Sequence, residues 1–310
     1  MSAKTTVSVV IPAFNAAGTI REAIRSVAAQ TRPADEVIVV DDASGDETAY
    51  VARTAFSGLA KSRLFTLPDN RGPAAARNRG VAEATGEWIA FLDGDDAWLP
   101  WRLEVQLVCA AQHPEATLLC GDTVPLEDVS RREAQDGRAA AESTDLALRD
   151  LAIRNCVATS TVLAKKEAVL AAGGFDEQFR GPEDFDMWLR LLASHPGRKL
   201  ACPLSRYRHV PGSLSMDDRT FLPEVLRVLD KAYGPGGALS AIPARRRAVA
   251  FQYLCAAWMA AERGAALRAW GLYVKGVALW PLTFRPYLKL PWQRTKLFVG
   301  LVRRLMNSVR

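Results

Sequence analysis

The chain has 310 residues, 49% of them apolar and 24% charged. This is the composition of an average globular protein rather than a disordered one, and it supports one large core or two smaller ones. The net charge of +6 hides an asymmetry: residues 236–310 hold thirteen Lys/Arg and one acid, Glu262, while the remainder has 27 basic and 33 acidic residues. An acidic body with a strongly basic tail points to an anionic partner for the tail, membrane or nucleic acid.

Five cysteines (Cys109, Cys120, Cys156, Cys202, Cys255) are scattered with no CxxC pair, which reads as buried thiols in a reducing compartment. The N-terminus, MSAKTTVSVVIPAF, lacks a long apolar segment before a small-residue cleavage site, so no signal peptide is expected. No uncharged run reaches the ~18 residues that a bilayer span needs. The expected location is the cytoplasm.

VSVVIPAF (7–14) is a β-branched run and predicts the first strand; Ile20, Ile24 and Val27 follow at helical spacing. EVIVVDDAS (36–44) predicts the second strand, with a helical pattern from Asp46, and RLFTLPD (63–69) the third. NRGPAAARNRGVAEATG (70–86) reads as a turn and an alanine-rich helix, and EWIAFLDGDD (87–96) as the fourth strand. Strands alternating with helices predict a mostly parallel sheet with helices on both faces. Beyond residue 100 the pattern loosens. Residues 100–112 predict a helix, 116–124 a strand, 127–145 a polar surface excursion, 158–166 a strand, and 182–195 a helix beginning at Pro182. Residues 206–218 are a polar stretch, and no internal repeat is present.

Ligands of such sheets bind at the carboxyl ends of the strands. Three polar clusters fall there: Pro12-Ala13-Phe14-Asn15, Asp41-Asp42-Ala43-Ser44 and Asp93-Gly94-Asp95-Asp96. Two carboxylates about 4 Å apart repel by ~4 kcal/mol at an effective dielectric near 20. Protonation, an arginine or a divalent cation must offset that. Hard cations such as Mg²⁺ or Mn²⁺ take one or two carboxylates and complete their shell with substrate phosphates. The run alone fits a metal–diphosphate site and a solvated acidic turn or helix N-cap equally well. Asp42 could accept from a nucleobase or a ribose hydroxyl, Phe14 could stack on a base, and Arg77 and Asn78 could reach base or phosphates. Singly, an ordinary helix charge explains Arg77 and a core aromatic explains Phe14. Glu183 and Asp184, with Asp186 close behind, form a further acidic cluster. Acids in a first helical turn favour the dipole, and a positioned carboxylate can also take the proton of an attacking hydroxyl.

VSVVIPAFN, VVDDASGDET, NRGPAAARN, FLDGDDAW, GGFDE and PEDFDMWLR occur in this order. Together, over roughly residues 5–230, they resemble the inverting glycosyltransferase family two. The resemblance implies a GT-A fold (the nucleotide-diphospho-sugar transferase fold) over residues 1–235. A donor-binding half spans about 1–115 and an acceptor-binding half about 116–235. It places Pro12, Phe14, Asn15, Asp42 and Ser44 at the nucleotide, with Arg77, Asn78 and Asp93. Asp95 is the ribose-side acid, and Asp96, with Asp95, binds the metal. Asp184 is the catalytic base, with Glu183 beside it. The implied reaction is a metal-assisted direct displacement that moves a sugar from a nucleotide-diphosphate sugar, taken as a UDP-sugar, to an acceptor hydroxyl. The acceptor would be a saccharide or lipid-linked saccharide of a cell-surface polysaccharide or glycolipid. One departure concerns His209, which stands one place earlier than the family's Tyr-Arg-x-His, with Val210 in its stead. A one-residue shift on a strand reverses the side chain's face, so His209 is not expected at the metal.

Residues 242–282 predict two alanine-rich helices broken near Gly264, and 296–310 a basic amphipathic helix, forming a C-terminal helical extension over 236–310. Four of the eight tryptophans (Trp258, Trp270, Trp280, Trp292) lie in it. Its expected partner is an anionic membrane surface on the inner face of the cell membrane; packing on the catalytic domain is the alternative. No nucleic-acid motif accompanies the charge. Two other readings of the whole chain are a catalytically silent nucleotide-sugar-binding scaffold and a nucleotidyltransferase. The latter needs a Gly-rich basic loop after the first strand, where Pro-Ala-Phe-Asn-Ala stands.

Overall fold

The computed structural model describes residues 5–59, 61–126, 142–208, 217–281 and 300. The chain divides into two compact units, Met1–Leu148 with Cys156–Val210, and Arg149–Asn155 with Pro211–Arg310. The first unit is built on β1 (Val7–Ala13), β2 (Glu36–Asp41), β3 (Ser62–Thr66) and β4 (Trp88–Phe91). Between them run α1 (Ile20–Ala28), α2 (Thr48–Ala55) and α3 (Pro73–Glu83). β5 (Ala97–Trp98), α4 (Arg102–Gln112), β6 (Leu118–Pro125) and β7 (Ser143–Leu146) follow. After α5 (Leu148–Leu151) come a 3₁₀ turn (Thr159–Thr161), β8 (Leu163–Lys165), α6 (Lys166–Ala171), α7 (Glu183–Ser194) and β9 (Gly197–Tyr207).

Among the described residues nine strands form one sheet, ordered β3-β2-β1-β4-β8-β6-β9-β5, with β7 also on β9. The β3-β2-β1-β4 portion is parallel, as the strand–helix alternation predicts. Beyond β4 the sheet is mixed: β8 runs antiparallel to β4 and β6, and β9 lies parallel to β6 but antiparallel to β5 and β7. β1 and β2 are buried along their whole length, which is why both read as unbroken apolar runs. Val9, Ile11, Val39, Ala90 and Leu92 lie in the core. Each fully buried Val, Ile or Leu contributes about 1.5–3 kcal/mol. α3 closes on β1 through Gly80, where a Cβ would stand 2.4 Å from Val10 Cγ1.

Three expectations are corrected. Residues 158–166 are not one strand: the Thr-Ser-Thr segment turns as a 3₁₀ helix before β8. The fourth strand ends at Phe91, and the acids beyond it lie in a turn. The segment 127–145, read as a surface excursion, ends in β7, which pairs with β9.

The second unit holds α8 (Asp218–Tyr233), α9 (Arg245–Glu262) and α10 (Ala266–Leu279). α9 and α10 are the two alanine-rich helices, and the break comes at Gly264, whose φ of +79° suits a residue without Cβ. Gly276 of α10 lies against α9, where a Cβ would meet the Ala250 carbonyl oxygen at 3.0 Å. Asp218 is fully buried and accepts from Arg263 and Arg268. No helix among the described residues is long and apolar enough to cross a membrane. Trp292, His209, Val210 and the expected amphipathic helix at 296–310 lie outside the described residues, apart from residue 300. Cys109, Cys120 and Cys202 are buried thiols.

Candidate functional site

The parallel register brings the carboxyl ends of β1, β2 and β4 together, with Ala13 opposite Asp41 and Val10 opposite Phe91. The two loops after β1 and β2 lock one another. The Asn15 amide donates to Ser44 Oγ (2.9 Å), and the Gly45 amide donates to Asn15 Oδ1 (2.9 Å). Asn15 (φ +48°) and Ala43 (φ +57°) both hold left-handed backbone. Pro12 is buried in β1, and Phe14 beside this junction is 51% exposed. An apolar ring left half in solvent at a strand end is not a core aromatic.

Asp42 is buried, and its carboxylate takes two backbone amides, Arg71 at 2.8 Å and Gly72 at 2.7 Å. It therefore secures the entry to α3. Each oxygen keeps a second lone pair for another donor. Asn78 is committed elsewhere. Its Oδ1 accepts from the Phe175 amide and its Nδ2 donates to the Phe175 carbonyl, both at 2.8 Å, so it brackets the Gly-Gly-Phe-Asp turn.

Arg77 is the centre of the arrangement. Its side chain is buried; Nη2 donates to Asp93 Oδ1 (2.7 Å) and Nη1 to Glu183 Oε1 (2.6 Å). The guanidinium also lies 5.5 Å from the centroid of the Phe175 ring. Burial works against its charge, but Asp93 and Glu183 more than offset that and hold its pKa above the ordinary arginine value. One cation thus joins the turn after β4 to the first turn of α7. Glu183 accepts in addition from the Gly181 amide at 2.7 Å. Asp186, the third acid of α7, pairs with Arg190 one turn on.

Asp184 is half-buried; its Oδ2 accepts from Thr159 Oγ1 at 2.8 Å. Burial and the Glu183 charge raise its pKa to about 7, against the opposing pull of Arg77 and the Thr159 hydroxyl. Asp96 is buried; its Oδ2 accepts from Ser160 Oγ (2.6 Å) and its Oδ1 from the Arg208 amide (3.0 Å). Burial and the Asp93 charge push it up to about 8, and the same two causes raise Asp95. The Ser160 hydroxyl also accepts from the Asp93 amide at 3.1 Å. The 3₁₀ turn therefore touches both acid groups, Thr159 meeting Asp184 and Ser160 meeting Asp96. Neither residue, nor Arg208, stands out in the sequence. The only local signal is a run of three hydroxyl side chains that a strand would have split between two faces.

Asp93, Asp95 and Asp96 suit a hard dication chemically. All three are oxygen donors; burial and the Asp93 charge make the ionised state costly at Asp95 and Asp96, while Arg77 donates to Asp93. Among the described residues no group of three His, Cys, Asp or Glu side chains forms a preformed cage. A metal here would take its remaining ligands from substrate oxygens.

The family model Glycosyl transferase family 2 matches residues 8–165, which include β1 to β4 and the acidic turn. The chain belongs to this family. Among family 2 relatives, the succinoglycan biosynthesis protein ExoU of Rhizobium meliloti is 31% identical over 253 residues, 77% of this chain and 72% of ExoU. The putative teichuronic acid biosynthesis glycosyltransferase TuaG of Bacillus subtilis is 35% identical over 130 residues, 40% of this chain and 52% of TuaG. Of solved structures, the S. aureus TarS 1–349 complex with UDP-GlcNAc superposes with a TM-score of 0.59 at 17% identity, covering 89% of each chain. The mannosyltransferase PcManGT of Pyrobaculum calidifontis, solved with GDP-Man and Mn²⁺, gives 0.60 at 21% identity, covering 99% of this chain and 88% of PcManGT. These likenesses give the GT-A fold. As a family 2 member the chain is a glycosyltransferase, with relatives in polysaccharide biosynthesis.

Proposed function

We propose that the chain is an inverting glycosyltransferase that moves a sugar from a UDP-sugar to the hydroxyl of a saccharide or lipid-linked saccharide acceptor, with Asp184 as the base. The observation that carries this reading is the Asp184 carboxyl, raised to about 7 and oriented by Thr159, joined through Arg77 and Glu183 to the acids after β4. A base with a pKa near ambient pH is deprotonated often enough to act and basic enough to take a hydroxyl proton. Asp184 takes that proton as the acceptor oxygen attacks the anomeric carbon. The diphosphate leaves from the opposite face, so configuration inverts in one displacement. Phe14, Asn15, Ser44 and Asp42, with Pro12 behind them, form the nucleotide's side of the crevice, and Asp95 faces the ribose. Arg77 keeps Asp93 and Glu183 from repelling one another. Asp96, with Asp95, would hold Mg²⁺ or Mn²⁺. When bound, such an ion offsets charge that grows on the leaving diphosphate. TarS with UDP-GlcNAc and PcManGT with Mn²⁺ support the donor class and the ion by analogy of fold.

The first experiment is thermal stability against UDP, GDP, CDP and dTDP, each with and without Mn²⁺. Ligand at 100 times its dissociation constant stabilises the native state by about 2.7 kcal/mol. The expected result is a Mn²⁺-dependent rise with UDP. No rise with any nucleotide, together with no release of UDP from UDP-sugars, would favour the silent-scaffold reading.

The helical unit is assigned a peripheral role at an anionic membrane surface. Leu267 (82% exposed) and Val274 (56%) share one face of α10, and Trp258 of α9 is 44% exposed. Exposed apolar side chains on a basic helical unit suit a headgroup boundary. Flotation with phosphatidylglycerol vesicles and not with neutral ones is the expected result; equal flotation with both would count against it.

A further inference from the structure

Beneath the acids lies a second polar layer, built from side chains that the reaction itself does not use. Arg102 on α4 is fully buried, and its hydrogen bonds run to neutral oxygens, two backbone carbonyls and a side-chain amide. Its guanidinium stacks 3.7 Å from the Trp98 ring centroid. Nη2 donates to the Val162 carbonyl at 2.7 Å, Nη1 to the Phe91 carbonyl at 3.3 Å, and Nε to Gln106 Oε1 at 3.2 Å. Gln106, one turn along α4 and also fully buried, donates from Nε2 to the carbonyls of Thr161 (2.9 Å) and Leu119 (3.2 Å). The Trp98 indole N–H donates to the Ser160 carbonyl at 3.0 Å. Three successive carbonyls, Ser160, Thr161 and Val162, are therefore each held by a different side chain from β5 or α4.

A buried cation without a counter-ion is costly, and an apolar residue would fill the same space at lower cost. What an apolar residue would not do is add a side-chain donor to the Val162 carbonyl, which otherwise takes the Phe91 amide alone, or hold Gln106 on the Thr161 carbonyl. That turn delivers the Thr159 hydroxyl to Asp184 and the Ser160 hydroxyl to Asp96. Its backbone position sets both distances.

We propose that Trp98, Arg102 and Gln106 act together as positioning residues for the transfer reaction, holding the Thr159–Thr161 turn so that the Thr159 hydroxyl stays on the Asp184 carboxylate. This rests on the reading of Asp184 as the base. The other charged groups that act on Asp184 are Glu183, Arg77 and Asp93, and the Arg77 guanidinium bonds to Glu183 and Asp93 rather than to Trp98, Arg102 or Gln106.

The test needs no substrate. The difference in Tm between a protein and its Asp184→Asn counterpart, followed from pH 5 to pH 9, follows the titration of Asp184 together with the response of the groups that feel its charge; groups remote from it cancel. Thr159→Val removes the hydroxyl that favours the ionised carboxylate and should raise the midpoint by about one unit, a tenfold change in proton affinity. Thr159→Ser should restore it. Trp98→Phe, Gln106→Met and Arg102→Lys should each move the midpoint in the same direction. Arg102→Lys combined with Thr159→Val should move it no further than Thr159→Val alone. Arg102 is buried deeply enough that its variant can fail to fold; Trp98→Phe and Gln106→Met then decide. Folded variants at these two positions with a wild-type midpoint would overturn the proposal. The base reading fails separately: release of UDP from UDP-glucose, UDP-galactose or UDP-N-acetylglucosamine by wild type, undiminished in Asp184→Asn, would remove it and leave the effect of the bracket on the titration standing.

Discussion

Arg77→Met should be among the most damaging single substitutions in the first unit, for reasons that can be worked from its two ion pairs. Glu183 is 3% exposed and Asp93 31% exposed at the side chain. Removing one partner from a buried pair costs about 3–5 kcal/mol, because the remaining charge stays in a medium that does not solvate it. The Glu183 leg carries most of that, while the Asp93 leg is discounted to about 1 kcal/mol or less, since water reaches it. The total is about 4 kcal/mol, and in a domain of this size each kcal/mol shifts Tm by about 2–4 °C. Arg77→Met/Glu183→Gln removes the stranded charge and should recover about half of the loss. Urea unfolding of wild type, both single variants and the double at pH 8 measures the coupling directly. A loss under about 1 kcal/mol, or a double variant as unstable as the sum of its parts, would refute the view that Arg77 neutralises the two acids.

Asp184→Asn should abolish transfer while leaving UDP binding nearly intact, and in wild type the rate should rise with pH through about 7 as the base loses its proton. The stability effect has a definite sign. The native state keeps a proton that the unfolded chain releases near the ordinary aspartate value of 3.8, so wild-type stability falls as pH rises from about 4 to about 7. Asp184→Asn escapes that fall and should be the more stable protein at pH 8; equal urea midpoints at pH 8 would count against the raised value. Asp96→Asn should erase the Mn²⁺-dependent part of the UDP thermal shift, and an unchanged metal dependence would sink that assignment. Gly80→Ala places a methyl 2.4 Å from Val10 Cγ1 and should cost about 1–3 kcal/mol in urea unfolding, with part of it recovered by Val10→Ala.

The parallel half of the fold was readable because its signals are local. Val7–Ala13, Glu36–Asp41 and Trp88–Phe91 are buried along their length and so read as apolar runs, and acids follow the last two closely in the chain. β9 was not readable: GRKLACPLSRY mixes Lys, Pro and Arg with Leu, and its pairing with β6 shifts register around Asp122. β5 is two residues long and exists only through its partner. Thr159-Ser160-Thr161-Val162 carries strand propensity, yet tertiary hydrogen bonds from Trp98, Arg102 and Gln106 draw it into a turn. The candidate acids were legible as residues. Their partners were not, since Ser160 meets Asp96 across 64 positions and Arg77 meets Glu183 across 106.

The interlock between Asn15, Ser44 and Gly45 bears on the thermodynamics of ligand capture. Freezing one backbone residue costs roughly 1–2 kcal/mol, and loops that order only on binding charge that cost against affinity. Here the left-handed Asn15 is already tied by two cross-loop hydrogen bonds to Ser44 and Gly45, the residues that follow the left-handed Ala43. The ordering entropy of these two strand ends is thus spent when the chain folds. A ligand arriving there meets a rigid rim, so its association should proceed without a slow rearrangement of this edge.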